Sequence, residues 1–222
     1  MTADDVRRLA ALGEGRTLEF KNRVPRPERI AREIIALANT DGGKVLVGVD
    51  DDGTVLGVKD AQEQFFALGQ ALADRILPPV ALEFEPVRVS RTREVLVVHV
   101  PASLERPHKL RPDRRPDGRL PKQRAFVRVA DQSVEASREA VAIMKAEGRG
   151  DAVAFTFGDA ERRLLEYLDR HERITVREYA RLSHQPPWKA SKALVTLARA
   201  GIVALQPREG GDDYFTAALD GS

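Results

Sequence analysis

Apolar residues fall at helical spacing from Asp4 to Leu12, where Val6, Leu9 and Leu12 share a face, until Gly13 and Gly15 interrupt the pattern. Thr17-Leu18-Glu19-Phe20-Lys21 then alternates as a strand does. Pro25 and Pro27 open a second helix whose Ile30, Ile34, Leu37 and Ala38 form one stripe, and Asn39 with Gly42-Gly43 ends it in a C-cap and turn. Lys44 to Val49 is an almost unbroken apolar run, the mark of a strand buried on both faces. Asp51-Asp52-Gly53-Thr54 supplies a tight turn into Val55 to Val58, completing a hairpin. Ala61 to Leu77 has a helical pattern that Pro78-Pro79 stops, and Val80 to Val89 and Glu94 to Val100 predict two more strands. Arg124 to Val129 is a further strand and Ser137 to Glu147 a further helix.

Gly148-Arg149-Gly150 marks a boundary, and the pattern after it is different. Asp159 is placed to cap a helix carrying Leu164, Leu165 and Leu168, and Thr175 to cap a short one carrying Val176, Tyr179, Ala180 and Leu182. A third helix from Pro187 to about Ala200 has Trp188, Ala190, Leu194, Leu197 and Ala198 as its apolar face and stops at Gly201. Ile202 to Leu205 is expected to pair with Tyr214 to Ala217 across Gly210-Gly211. The expected organisation is therefore an α/β (α+β) mixed-sheet domain over 1–147, a linker over 148–158, and a winged helix-turn-helix over 159–222.

Composition narrows the setting. Of 222 residues, 42% are hydrophobic and 32% charged, which suits a globular chain. No apolar run reaches the length of a membrane span, and no signal segment opens the chain. There is no cysteine, which excludes disulfides and thiolate metal sites and fits a cytoplasmic location. Net charge is only +2, from 36 Lys and Arg against 34 Asp and Glu, so attraction to a polyanion must come from how the charges are arranged.

The densest basic stretch holds Arg106, Lys109, Arg111, Arg114, Arg115, Arg119, Lys122, Arg124 and Arg128, opposed only by Asp113 and Asp117. As a groove of cations it would track a phosphate backbone, while its lack of aromatics other than Phe126 argues against base stacking. On the polar side of the third C-terminal helix, Lys189, Lys192, Thr196 and Arg199 are placed to face a DNA groove, with Arg208 in the wing. The same module also suits dimer formation or docking on its neighbour, so a homodimer is compatible with the sequence. No Gly-x-x-x-x-Gly-Lys-Ser/Thr string occurs, so nucleotide hydrolysis has no support from motifs. His171 and His184 stand apart from any other ligand type and are taken as surface or packing residues.

Three strings resemble the Schlafen AlbA-type domain: Glu14-Gly15-Arg16-Thr17-Leu18-Glu19-Phe20-Lys21, Ile34 to Gly43 (Ile-Ile-Ala-Leu-Ala-Asn-Thr-Asp-Gly-Gly), and Val47-Gly48-Val49-Asp50-Asp51-Asp52-Gly53. Val100-Pro101-Ala102-Ser103 and Phe126-Val127-Arg128-Val129 with Ser133 extend the likeness to roughly residues 10–145. Some members of that family are metal-dependent nucleases acting on transfer or ribosomal RNA. Others are regulators described as ATP-binding or helicase-related, often with an ATPase-like module that does not interrupt this sequence. The resemblance implies a Mg²⁺ or Mn²⁺ site made of Glu14, Glu19 and one of Asp50, Asp51 or Asp52, with Asp50 the first choice. Strand alternation would put Glu19 and Lys21 on one face, with Lys21 serving the phosphate or the attacking water. The wet face of an edge strand would give the same pattern, and a tight turn by itself accounts for two of the aspartates. Two functions follow as expectations: a metal-dependent endonuclease on RNA or DNA, with Glu14, Glu19, Lys21 and Asp50 as its catalytic set, or a non-catalytic winged-helix DNA-binding regulator.

Overall fold

The computed structural model describes residues 1–73, 75–113, 118–119, 121–150, 152–155 and 157–218. The chain divides into two compact units, Met1–Glu135 and Ala136–Ser222.

The first unit runs α1 (Ala3–Leu12), β1 (Leu18–Lys21), α2 (Pro27–Ala38), β2 (Gly43–Val47), α3 (Ala61–Leu72), β3 (Ile76–Leu77), β4 (Glu83–Arg88), β5 (Glu94–Val100), β6 (Lys109–Leu110), β7 (Phe126–Val129) and β8 (Gln132–Glu135). Four strands form a mixed sheet in the order β1-β2-β5-β4, with β1 parallel to β2 and the other pairs antiparallel. The parallel pair requires a crossover, and α2 supplies it. Alternation sorts the sheet into two cores. Leu18, Phe20, Leu46, Val95 and Val97 pack with Val6 and Ala10 of α1. Val45, Val47, Leu96, Val98 and Val100 pack with α2 and α3. In α2, Ile30, Ile34, Ile35 and Leu37 are all fully buried, each contributing about 1.5–3 kcal/mol of apolar transfer.

Two glycines make the return from α2 into β2 possible. Gly42 and Gly43 have φ of +71° and +149°, and a Cβ on Gly43 would collide with the Thr17 carbonyl, which accepts the Lys44 N–H at 2.9 Å. The strand ends are thereby drawn together beside residues 14–21.

Local signals fail where a few residues serve long-range pairing. The helix expected to reach Leu77 stops at Leu72, because Ile76 and Leu77 pair with Leu110 and Lys109. The turn after Asp50 forms, with Asp50 N–H donating to Thr54 O at 2.9 Å, but Val55 and Val58 make only isolated bridges, to Val49 and Glu94.

The second unit contains α4 (Arg138–Arg149), α5 (Asp159–Arg170), β9 (Ile174–Thr175), α6 (Val176–Leu182), α7 (Pro187–Arg199), β10 (Val203–Gln206) and β11 (Tyr214–Ala217). An antiparallel sheet in the order β10-β11-β9 joins Leu164, Leu168, Tyr179, Leu194, Leu197 and Phe215 in one core. Ser137 caps α4, and Ser191 Oγ of α7 donates to Glu139 at 2.5 Å, which ties α4 to this unit. Thr175 caps α6 as expected, through a reciprocal box with Glu178, whereas α5 is capped by Gly158 rather than Asp159. Trp188 is not core: it is 65% exposed at the first turn of α7, with the Lys189 ammonium 5.5 Å from its ring centroid. Among the described residues no helix is long and apolar enough to cross a membrane.

Candidate functional site

Alternation in β1 sends Leu18 and Phe20 into the core and Glu19 and Lys21 to the opposite face, yet that face is not wet. Glu19 is 4% exposed and Lys21 7%, and Glu19 meets Arg128 of β7 and Glu33 of α2. Arg128 of β7 is 1% exposed, and its Nη1 lies 2.8 Å from Glu19 Oε2 and 3.1 Å from Glu33 Oε2 of α2. Its Nη2 donates to Gly15 O at 2.7 Å. Ser133 Oγ donates to Glu33, and the Arg128 backbone N–H donates to Thr40 Oγ1 at 2.9 Å. One buried guanidinium therefore joins β1, α2, the β7–β8 hairpin and the Gly15 loop.

Lys21 closes the cluster from the other side. Its Nζ is paired with Glu19, donates to Phe20 O at 2.6 Å, and stands 3.9 Å from Glu14 Oε1. Glu14 Oε1 in turn accepts the Phe20 backbone N–H at 2.7 Å. Asp50 accepts the Asp51 N–H at 3.2 Å in the turn after β2. Among the described residues no three His, Cys, Asp or Glu side chains come together so as to hold a metal ion. Asp50 is therefore not gathered with Glu14 and Glu19 into a three-carboxylate set. Lys21 is within ion-pair distance of both glutamates, and Arg128 takes the second oxygen of Glu19. Lys21 is in this structure the ion-pair partner of Glu19.

Burial pushes the Glu19 carboxyl above its ordinary value of 4.5, and the adjacent Glu33 adds to the rise, against the lowering effect of Lys21. A raised folded-state value means that the folded chain holds this proton more readily than the unfolded chain. Glu19's contribution to stability is therefore fully present below 4.5 and is lost as pH rises through the folded value. Glu19→Gln removes the titration, so its urea midpoint should gain on that of the wild type as pH rises above 4.5; a constant difference across that range would show that Glu19 does not titrate this way.

The basic stretch is largely occupied by internal work. Arg106 reaches the Asn39 and Thr40 carbonyls at 3.5 Å, and Arg124 pairs with Glu28 at 2.7 Å and Glu135 at 3.9 Å. Arg124 and Arg32 also lie over the Phe126 ring, and Arg128 is buried. Arg111 and Arg119 have partners as well. Lys109 is half-buried in β6 and Lys122 is exposed, while Arg114 and Arg115 lie outside the described residues. Asn39, expected as a helix cap, does cap α2 and also holds this stretch down: its buried amide donates to His108 O at 2.9 Å and Phe126 O at 3.0 Å, and its Oδ1 accepts the His108 N–H at 2.8 Å. In the second unit Lys189 and Lys192 are exposed on α7, and Arg199 is half-buried with a partner.

Uncommitted cations concentrate in a place that the sequence pattern did not single out. Between β1 and α2 a cleft of about 500 Å³ is lined by Lys21, Arg23, Arg26, Arg29, Asp50 and Asp51. Arg23, Arg26 and Arg29 are exposed, and none makes a side-chain hydrogen bond or ion pair among the described residues. Asn22 and Arg23 also line a neighbouring cleft of about 480 Å³ that continues to Arg93. The first turn of α2 opens here without a side-chain cap, which adds the positive end of the helix dipole to the same rim; Pro27 has no N–H, and the Arg29 and Ile30 N–H groups donate to Arg26 O at 3.0 and 3.2 Å. The signal is present in the sequence as Arg23, Arg26 and Arg29 at three-residue spacing around two prolines. It is outweighed there by the longer basic run.

Comparison with known proteins adds the following. The family model described as Schlafen, AlbA_2 matches residues 14–137. Among solved structures, the DIP2311 protein from Corynebacterium diphtheriae is similar at a TM-score of 0.42 and 21% identity, over 65% of this chain and 27% of that one. The N-terminal domain of a putative ATP-dependent DNA helicase RecG-related protein from Nitrosomonas europaea is similar at a TM-score of 0.37 and 25% identity, over 46% of this chain and 74% of that one. This chain spans about a quarter of the length of the first of these. No curated protein matches it.

Proposed function

This chain belongs to the Schlafen, AlbA_2 family, and from that premise we propose that it is a nucleic-acid-binding protein that grips phosphate backbone without cleaving it. The observation that carries this reading is the pairing of Glu19 with both Lys21 and Arg128, beside a cleft whose three arginines have no internal partner among the described residues. Hydrolysis of a phosphodiester needs carboxylates free to converge on a hard cation. Binding needs the reverse, cations free to replace the counterions of a polyanion. The residues here suit the second requirement.

The second unit supports the same reading as a winged helix-turn-helix, with α5, α6 and α7 as its three helices and β10–β11 as the wing. In that arrangement α7 offers Lys189 and Lys192 to a groove and the wing offers Arg208.

Incubation of the purified chain with labelled tRNA or duplex DNA, in Mn²⁺ or in EDTA, should give retarded but intact nucleic acid in every arm. Glu19→Gln should behave as the wild type does. Cleavage that requires Mn²⁺ and disappears in Glu19→Gln would replace this proposal with the endonuclease reading.

A further inference from the structure

The second unit carries a groove of about 580 Å³ that neither the Glu19 cluster nor the cationic cleft uses. Its walls are Tyr167 and His171 at the end of α5, Glu172 and Arg173 before β9, and Arg208 and Tyr214 of the wing. The Tyr167 and His171 rings are stacked, with centroids 4.1 Å apart and planes 11° from parallel. A hydrogen bond of 3.1 Å from His171 Nδ1 to the Tyr167 carbonyl fixes the imidazole in that position. Tyr167 is half-buried and His171 exposed, so the stack ends on an imidazole that meets the groove.

Across the groove, the Arg173 guanidinium lies 5.4 Å from the Tyr214 ring centroid, and Tyr214 is anchored by pairing with Thr175 between β11 and β9. Arg208 stands at the wing turn, where its backbone N–H donates to Asp213 at 3.0 Å. Neither guanidinium makes a hydrogen bond or ion pair among the described residues. Of the two lining carboxylates, Glu178 is engaged by the Thr175 backbone N–H at 2.8 Å and the Thr175 hydroxyl at 2.9 Å. Two guanidinium groups without ion pairs thus face two carboxylates: Glu178, held below its ordinary carboxylate range first by its bonds to Thr175 and in smaller part by the Arg173 charge, and Glu172.

An open aromatic stack beside available cations is the chemistry that takes up a base and its phosphate together. We propose that this groove binds an unpaired nucleotide of a single-stranded nucleic acid. The base extends the Tyr167–His171 stack as a third ring, and the phosphate lies between Arg173 and Arg208. A base inside a duplex has both faces covered by its neighbours and cannot enter, so the groove separates single strands from duplexes where the cationic cleft, reading backbone alone, does not. The inference rests on the nucleic-acid-binding reading above.

The test uses the full chain, fluorescence anisotropy, and two labelled probes, a short oligouridylate and a DNA duplex of matched length. His171→Ala removes an exposed ring and should weaken oligouridylate binding by about tenfold while leaving duplex binding unchanged. His171→Phe keeps a π face without ring nitrogens and should restore the wild-type value. The proposal is overturned if His171→Ala leaves oligouridylate binding unchanged, if it weakens both probes equally, if His171→Phe is as weak as His171→Ala, or if the wild type does not bind oligouridylate at all. Failure of the parent reading has a separate signature, the absence of duplex binding by the wild type itself.

Discussion

Replacing Arg128 with methionine should cost the first unit about 3–5 kcal/mol, the usual consequence of removing one partner from a buried ion group and leaving the other uncompensated. Here two carboxylates lose the guanidinium, Glu33, left with only the Ser133 hydroxyl, and Glu19, left with Lys21, and their side chains are 11% and 6% exposed. The Gly15 carbonyl is also deprived of its donor. A domain of this size has about 5–15 kcal/mol of stability in all, so such a change would leave it marginal. Urea unfolding followed by far-ultraviolet circular dichroism would record it as a lower midpoint. Combining Arg128→Met with Glu19→Gln, Glu33→Gln and Lys21→Met should recover most of the deficit, because replacing a whole buried ion group with neutral side chains is tolerated far better than breaking it. An Arg128→Met midpoint equal to that of the wild type would mean that Arg128 is not a structural clamp. Arg128 would then not keep Glu19 from holding a metal ion.

The second large effect concerns affinity. Changing Arg23, Arg26 and Arg29 together to alanine should weaken duplex binding about a hundredfold at roughly 0.1 M salt and make the salt dependence shallower by about 2–3 in log–log slope, nearly one for each phosphate that is no longer neutralised. All three side chains are exposed and without internal partners among the described residues, so stability should be unaffected. Arg124→Ala is the informative contrast. Its guanidinium already serves Glu28 and Glu135, and its removal should change affinity less than about threefold. If Arg124→Ala proves the more damaging, the nucleic-acid interface lies along the basic stretch after all. A wild-type salt slope that the triple variant leaves unchanged would remove the β1–α2 cleft from the interface.

The elements themselves were legible in the sequence because the signals that make them are local. The stripe of Ile30, Ile34, Leu37 and Ala38 announced α2, the alternation of Leu18 and Phe20 announced β1, and Thr175 with Glu178 announced the start of α6. Family membership was legible for a related reason: short strings such as Glu14 to Lys21 and Asn39 to Gly43 sit at tight turns and strand ends where few residue types serve. Trp188 marks the limit of such reasoning. Helical spacing placed it beside Ala190 and Leu194, but one residue at the first turn lies past the edge of the core that covers the rest of the stripe.

What the tertiary structure alone decided is which charges are spent and which remain available. Glu19 and Arg128 are 109 positions apart and Glu33 and Arg128 are 95 apart, separations across which no local pattern carries information. In the sequence Arg128 is one more cation in a basic run, and Arg23, Arg26 and Arg29 are a minor cluster. In the folded chain the first is buried against two carboxylates while the other three face solvent around a cleft. Hydrophobic periodicity reports where a residue lies relative to its own helix or strand; the partner of a charge depends on which distant element is folded over it, and burial in a medium of low dielectric makes that partner decisive.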